Sequence, residues 1–248
     1  MQTTRTWNLK ILFLCHVIGA LLFASLFWPV THTYWAAIDT AFFQFINSSL
    51  KERPLWQIFW ACANHKLADW VEDIAILAFF IAYVRRAHKR FRKRKISELI
   101  FCALYIAAII YFVNRLFFRE NFSIPRLSPT LTIDDSVRLS DEITWMSIKD
   151  GSSKSFPGDH GTTALLFAST YTVLAGWRLG ILACLYAAFL CMPRLITGAH
   201  WLSDVLVGSG TIALVFISWA FCTPLFEKAV GWIERCLSFF YTKKKAQA

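Results

Sequence analysis

Charge is what this sequence has least of. Only 17% of its 248 residues are charged, and acids number 16 against 26 bases. An ordinary soluble domain carries about a quarter, so a water-exposed surface of normal size cannot be covered. None of the seven cysteines forms a CxxC pair, which removes the usual redox and zinc signatures and leaves packing as their role. No internal repeat, low-complexity segment or interdomain linker interrupts the chain, and residues 1–248 read as one domain. A cleavable signal pattern is also missing, because the first apolar run is long enough to remain as a span.

What fills the chain instead is apolar. Hydrophobic residues make up 56% and the mean hydropathy is +0.47. The apolar residues gather into runs at 11–30, 67–84, 96–118, 162–177, 179–192 and 205–225. About 20 such residues cross a hydrocarbon core of about 30 Å. The expectation is an all-α polytopic membrane protein with six transmembrane helices.

Sidedness follows from the bases. The stretch RRAHKRFRKRK (85–95) holds eight Lys/Arg in eleven positions, and KKK closes the tail at 243–245. Short loops rich in Lys and Arg stay cytoplasmic. The net charge of +10 therefore reads as a topology signal touching anionic head groups, and not as a nucleic-acid site. Residues 31–66, the loop 119–159 and the turn before Trp201 fall on the other side. Trp35, Trp56, Trp60 and Trp70 fit an interfacial belt, and 34–50 fits an amphipathic helix lying on that surface.

That same side collects Arg119, Arg126, His160, Arg194, His200 and Asp204 from distant loops. His200 and Asp204 are one helical turn apart, so the carboxylate can hold one ring nitrogen and leave the other free as nucleophile or base. Arginine forks match phosphate oxygens, and His160 is placed to protonate a leaving oxygen. Each element alone has a plainer reading. A histidine near a span end is ordinarily an interfacial residue, the arginines can snorkel to head groups, and His-x-x-x-Asp can bind a metal. Three arginines repel a cation, however, and no third ligand has clear spacing. Together the set points to phosphoryl transfer through a histidine.

At these residues the chain resembles the type 2 phosphatidic acid phosphatase superfamily. Its three motifs are a basic residue, six positions and Arg-Pro; Pro-Ser-Gly-His; and Ser-Arg, five positions, His, three positions, Asp. The third is matched by Pro193-Arg194, His200 and Asp204, with proline for serine. The second appears as Pro157-Gly158-Asp159-His160, and the first as Arg119 and Arg126, followed by Leu127 with the proline delayed to Pro129. The resemblance implies that His200 is a phosphohistidine nucleophile supported by Asp204 and that His160 is the general acid. It also implies that Arg119, Arg126, Arg194 and the Gly158 backbone hold phosphate, with no metal and no cofactor. Gly158 stands where the family has serine, and Asp159 puts a carboxylate where it has glycine. Ser155 is the nearest hydroxyl, and Asp159 is a candidate for orienting an acceptor.

The stretches RLSPTLT (126–132), SFPGDHG (155–161), GAHWLSD (198–204), TPL (223–225) and WPVTHTYWAAID (28–39) are similar to one branch of that superfamily. This branch moves phosphate from undecaprenyl diphosphate to lipid A 1-phosphate. The branch implies a bacterial inner-membrane enzyme with a periplasmic site, lipid substrates and no named protein partner. The alternatives are a hydrolase of undecaprenyl diphosphate or another lipid phosphate, and a non-catalytic lipid-phosphate binding or transport protein. Binding alone needs the arginines but neither nucleophile nor acid.

Overall fold

The computed structural model describes residues 6–122 and 124–246, with side chains through residue 239. The N-terminal residues 1–5 and the side chains of the tail lysines 243–245, which share in the sidedness expectation, lie outside the described residues. Among the described residues there is no strand, only an isolated bridge between Arg126 and Lys154. The chain is an all-α membrane protein.

Helix α1 (Leu9–Ser25) begins where the Asn8 side chain accepts from the Ile11 amide at 3.2 Å, a normal N-cap. Pro29 at the first position starts α2 (Pro29–Ser48), whose axis turns 77° from that of α1. Helix α2 buries Asp39, Phe43, Ile46 and Asn47, a stripe spaced for one helical face. The expected amphipathic helix is present, but its inward face carries two polar side chains as well as two apolar ones. Short α3 (Pro54–Ala63) leads to α4 (Lys66–Arg86). Helix α5 (Arg92–Ile109) runs on in wider π winding through Ile110–Asn121. A long connection follows, holding among the described residues only a four-residue helix α6 (Leu139–Glu142) and a single 3-10 turn.

Helices α7 (Asp159–Ala175), α8 (Trp177–Ile196) and α9 (Gly210–Cys222, preceded by a π-wound Asp204–Ser209) form the centre, and α10 (Leu225–Ala246) closes the chain. Helix α7 packs on α8, α9, α5 and α4. Gly180 permits the close α7–α8 crossing, since a Cβ there would lie 2.5 Å from Thr172 Oγ1. Between lipid-facing helices packing replaces the hydrophobic effect as the glue. The fully buried Phe167 supplies some of it, with ring centroids 5.4 Å from Phe79, 5.8 Å from Tyr171 and 6.3 Å from Tyr186. Each such pair contributes about 0.5–1.5 kcal/mol beyond burial. Large apolar side chains also point outward, with Phe13, Leu104 and Leu185 all more than 60% exposed, the pattern of a surface solvated by lipid.

The expected count of six spans is not reproduced by length and composition. Among the described residues three helical stretches are long and apolar enough to cross, Lys89–Asn121, Trp177–Ile196 and Asp204–Cys222, or four if α1 and α2 act as one bent span. Helix α7 has 17 residues, about 25 Å of rise. Helix α4 is long enough, but Asp69, Glu72 and Asp73 crowd its first turns. Two further readings change. Trp60 is buried at 6% exposure and so is no part of an interfacial belt, and α10 is a helix where the sequence reading placed only a tail.

The termini of the central helices set the site. The start of α7, the end of α8, the start of the α9 segment and the start of α4 meet at one end of the bundle. Arg85 lies sixteen residues further along α4 than Asp69, about 24 Å at helical rise, so the basic 85–95 segment sits at the opposite end.

Candidate active site

Helix α8 ends just beyond Arg194, and the chain reverses through Gly198 at φ +76°. A side chain there would be strained, and its Cβ would lie 2.5 Å from Thr130 Cγ2 and 2.8 Å from Phe43 Cε2. The turn delivers His200 just before the π-wound segment. His200 Nδ1 lies 2.7 Å from the Ser155 carbonyl oxygen. A carbonyl only accepts, so Nδ1 carries a proton, and in the neutral ring Nε2 is the nitrogen with the lone pair. Asp204 Oδ2 stands 3.5 Å from the same Nδ1, further than the carbonyl. The main orienting partner is thus a backbone oxygen, with Asp204 second.

Asp204 is fully buried and has other partners. Its Oδ2 accepts from the Trp201 amide at 2.8 Å, and its Oδ1 accepts from Arg126 Nη1. The second arm of Arg126 donates to Asp39 Oδ2 at 2.7 Å, and the guanidinium lies 5.8 Å from the Trp201 ring centroid. Asp39 in turn accepts from the Ser203 amide at 2.8 Å and from its hydroxyl. Helix α2 is in this way pinned to the turn that carries His200.

In front of His200 lies a cavity of about 460 Å³ lined by Arg119, Lys149, Lys154, Asp159, His160 and Arg194, among others. Arg194 Nη2 donates to Asp69 Oδ1 at 2.6 Å and lies 2.7 Å from His160 Nε2; Asp69 Oδ1 is itself 3.1 Å from that nitrogen. The other arm of Arg194 meets Asn64 Oδ1. Arg119 Nη2 donates to Asp159 Oδ2 at 2.7 Å, and Asn114 Nδ2 holds Asp159 Oδ1 at 3.1 Å. Beside Asp159 and Arg119 a mostly apolar groove of about 670 Å³ runs between α4, α5 and α7, past Phe80, Ile106 and Phe167. A head group in the cavity can therefore keep its hydrocarbon chain in a lipid-like channel.

The fold brings His160, His200, Arg119, Arg194 and Asp159 to one cavity. Arg126, Asp204 and Gly158 are not among the described residues that line it. Both arms of Arg126 are taken by carboxylates, and Asp159 pairs with Arg119. Gly158 packs against the His200 ring, where an added Cβ would make ordinary contact at 3.5 Å. Ser155 Oγ is buried with no hydrogen-bond partner among the described residues, and Ser155 is not among the described residues that line the cavity. Sequence reasoning missed Asp39, Asn64, Asp69, Lys149, Lys154 and Ser203. A signal existed for Asp69: an acid within an apolar run is costly and marks a functional site by default. Asp69, Glu72 and His160 are grouped closely enough to hold a metal ion, but Arg194 Nη2 already sits against both the Asp69 oxygen and the His160 nitrogen. A cation there would face a guanidinium at contact distance.

Comparison with known proteins bears on the same residues. The PAP2 superfamily model matches residues 134–228, the stretch holding His160, Arg194, His200 and Asp204. The chain is 31% identical over 232 residues to the lipid A 1-diphosphate synthase of Escherichia coli (strain K12), covering 93% of this chain and 94% of that protein. No solved structure matches.

Proposed function

Since this chain belongs to the PAP2 superfamily and is a membrane enzyme acting on lipid phosphates, we propose that its single domain transfers a phosphoryl group from undecaprenyl diphosphate to lipid A 1-phosphate. The observation that carries this reading is the His200 ring. Its Nδ1 is tied to the Ser155 carbonyl, which makes Nε2 the lone-pair nitrogen of the neutral ring, and His200 lines the cavity shared with His160 and Arg194. The similarity to a lipid A 1-diphosphate synthase supports a lipid A phosphate as the acceptor in this reading.

In the first step Nε2 attacks the terminal phosphorus of the donor, and the P–O bond to undecaprenyl phosphate breaks. His160 gives its proton to the departing oxygen. In the second step His160 takes the proton of the lipid A 1-phosphate monoester, whose oxygen attacks the phosphohistidine, the P–N bond breaks, and His200 returns to its resting tautomer. Arg194 and Arg119 neutralise the phosphoryl oxygens, the role an ion plays in metal-dependent phosphoryl transfer. For a phosphate to bind, each must loosen its hold on Asp69 or Asp159. Asp159, freed in this way beside the reacting centre, is placed to orient the acceptor. Arg126 and Asp204 act from behind, holding His200 and its turn. The enzyme sits in the bacterial inner membrane with the cavity on the periplasmic side, a placement supported by the roughly 24 Å separating the basic 85–95 segment from Asp69.

The test is purified full chain with undecaprenyl diphosphate labelled in its terminal phosphate, with and without lipid A 1-phosphate. Labelled lipid A 1-diphosphate should form and should outpace release of inorganic phosphate. Stoichiometric inorganic phosphate in the presence of acceptor would leave a hydrolase.

A further inference from the structure

The cavity in front of His200 holds more positive charge than one phosphate needs, and the excess lies in one place. Arg194 is paired with Asp69 and Arg119 with Asp159. Lys149 and Lys154 line the same cavity, are exposed, and have no carboxylate partner among the described residues. Asp150, next to Lys149 in the chain, is buried and faces away, accepting from the Ser140 amide at 2.7 Å and standing 3.6 Å from Arg138.

The segment carrying these lysines is held firmly. Asn64 Nδ2 donates to the Lys149 carbonyl at 3.0 Å, and Asn64 also receives Arg194. Ser128 and Ser152 exchange two hydrogen bonds of 2.9 Å, and the Ser155 amide donates to the Arg126 carbonyl at 2.9 Å. The Lys154 ammonium lies 3.3 Å from the Arg119 carbonyl. The backbone under both lysines is therefore fixed relative to Arg194 and Arg119, while their ammonium groups remain available. Such preorganised charge binds an anion at lower entropic cost than a free loop.

We propose that residues 149–154 form a second phosphate subsite, in which Lys149 and Lys154 bind the phosphate that neighbours the one reacting at His200. The proposal rests on phosphoryl transfer at His200 to name that neighbour, which is either the inner phosphate of a diphosphate or the phosphate of a separate monoester. Lysine suits this use, as a point charge that follows a phosphate through more than one position.

Isothermal titration of the purified full chain with inorganic diphosphate and with inorganic phosphate tests it without lipid or turnover, so it can fail or succeed independently of the transfer reaction. Two exposed charge-assisted contacts should give the wild type a preference for diphosphate of about tenfold. K149A/K154A should abolish that preference and leave phosphate affinity within about twofold, while K149R/K154R keeps it. If the second phosphate comes from a separate monoester, inorganic phosphate will instead titrate two sites in the wild type and one in K149A/K154A. An alanine variant that keeps the wild-type pattern, or one that loses all phosphate binding together, overturns the subsite. So does a wild type showing neither preference nor a second site.

Discussion

Asp39 lies on α2, outside the stretch matched by the superfamily model, yet it holds the site from behind. Its carboxylate takes Arg126 Nη2 at 2.7 Å, the Ser203 amide at 2.8 Å and the Ser203 hydroxyl. Asp39→Ala removes all three hydrogen bonds at once. Breaking a fully buried ion pair costs about 3–5 kcal/mol, but the Arg126 side chain is 21% exposed and water recovers part of that. A loss of about 2–4 kcal/mol is expected, which for a chain of this length corresponds to a fall in Tm of about 5–15 °C. The cavity lining is untouched, so lipid KM should hold while kcat falls. Misplacing a reacting group by about 1 Å costs about 100-fold, and about that loss is expected as the turn carrying His200 loosens. Asp39→Asn keeps one acceptor oxygen and should fall between wild type and alanine. Thermal unfolding in detergent, read beside steady-state turnover, decides the matter. An Asp39→Ala protein with unchanged melting and unchanged kcat would refute the claim that α2 positions the site.

Other outcomes follow from the same geometry. His200→Ala should abolish turnover with melting preserved, since no other group supplies the covalent intermediate; near-normal rates would dismiss the phosphohistidine. Asp204→Asn should be slowed by about 10²–10⁴ and not dead, because the Ser155 carbonyl still holds Nδ1; a rate equal to that of His200→Ala would show that the carbonyl does not suffice. Activity should survive exhaustive EDTA, as Arg194 and Arg119 bring the positive charge, and loss rescued by zinc or magnesium would favour the Asp69–Glu72–His160 group as a metal site. Asp159→Gly frees Arg119 and removes the carboxylate beside the acceptor, so the ratio of inorganic phosphate to labelled lipid A product should rise; an unchanged ratio would remove Asp159 from acceptor choice. A reporter fused at Thr132 should behave as periplasmic and one at Lys89 as cytoplasmic, and the reverse pattern would invert the enzyme in its membrane.

Much of this protein is local, and what is local was legible. Apolar runs of spanning length, the basic 85–95 segment, the one-turn spacing of His200 and Asp204, and the order of the three motifs depend only on neighbours along the chain. Those features gave the membrane class, the end of the bundle that bears the site, and five residues of the cavity. The partners of the charged groups were not legible. Asp39 meets Arg126 across 87 residues and Ser203 across 164, and Arg194 meets Asp69 across 125. Spacing sets side-chain contact within a helix but says nothing across such separations, where helix packing alone chooses the neighbour. The choice matters most where charge is buried, because a buried charge must find a partner. Arg126, alike in sequence to a phosphate ligand, is claimed by two carboxylates that only the packing of α2 and the α9 segment brings to it. By the same route a backbone carbonyl, invisible to any residue pattern, came to hold the tautomer of His200.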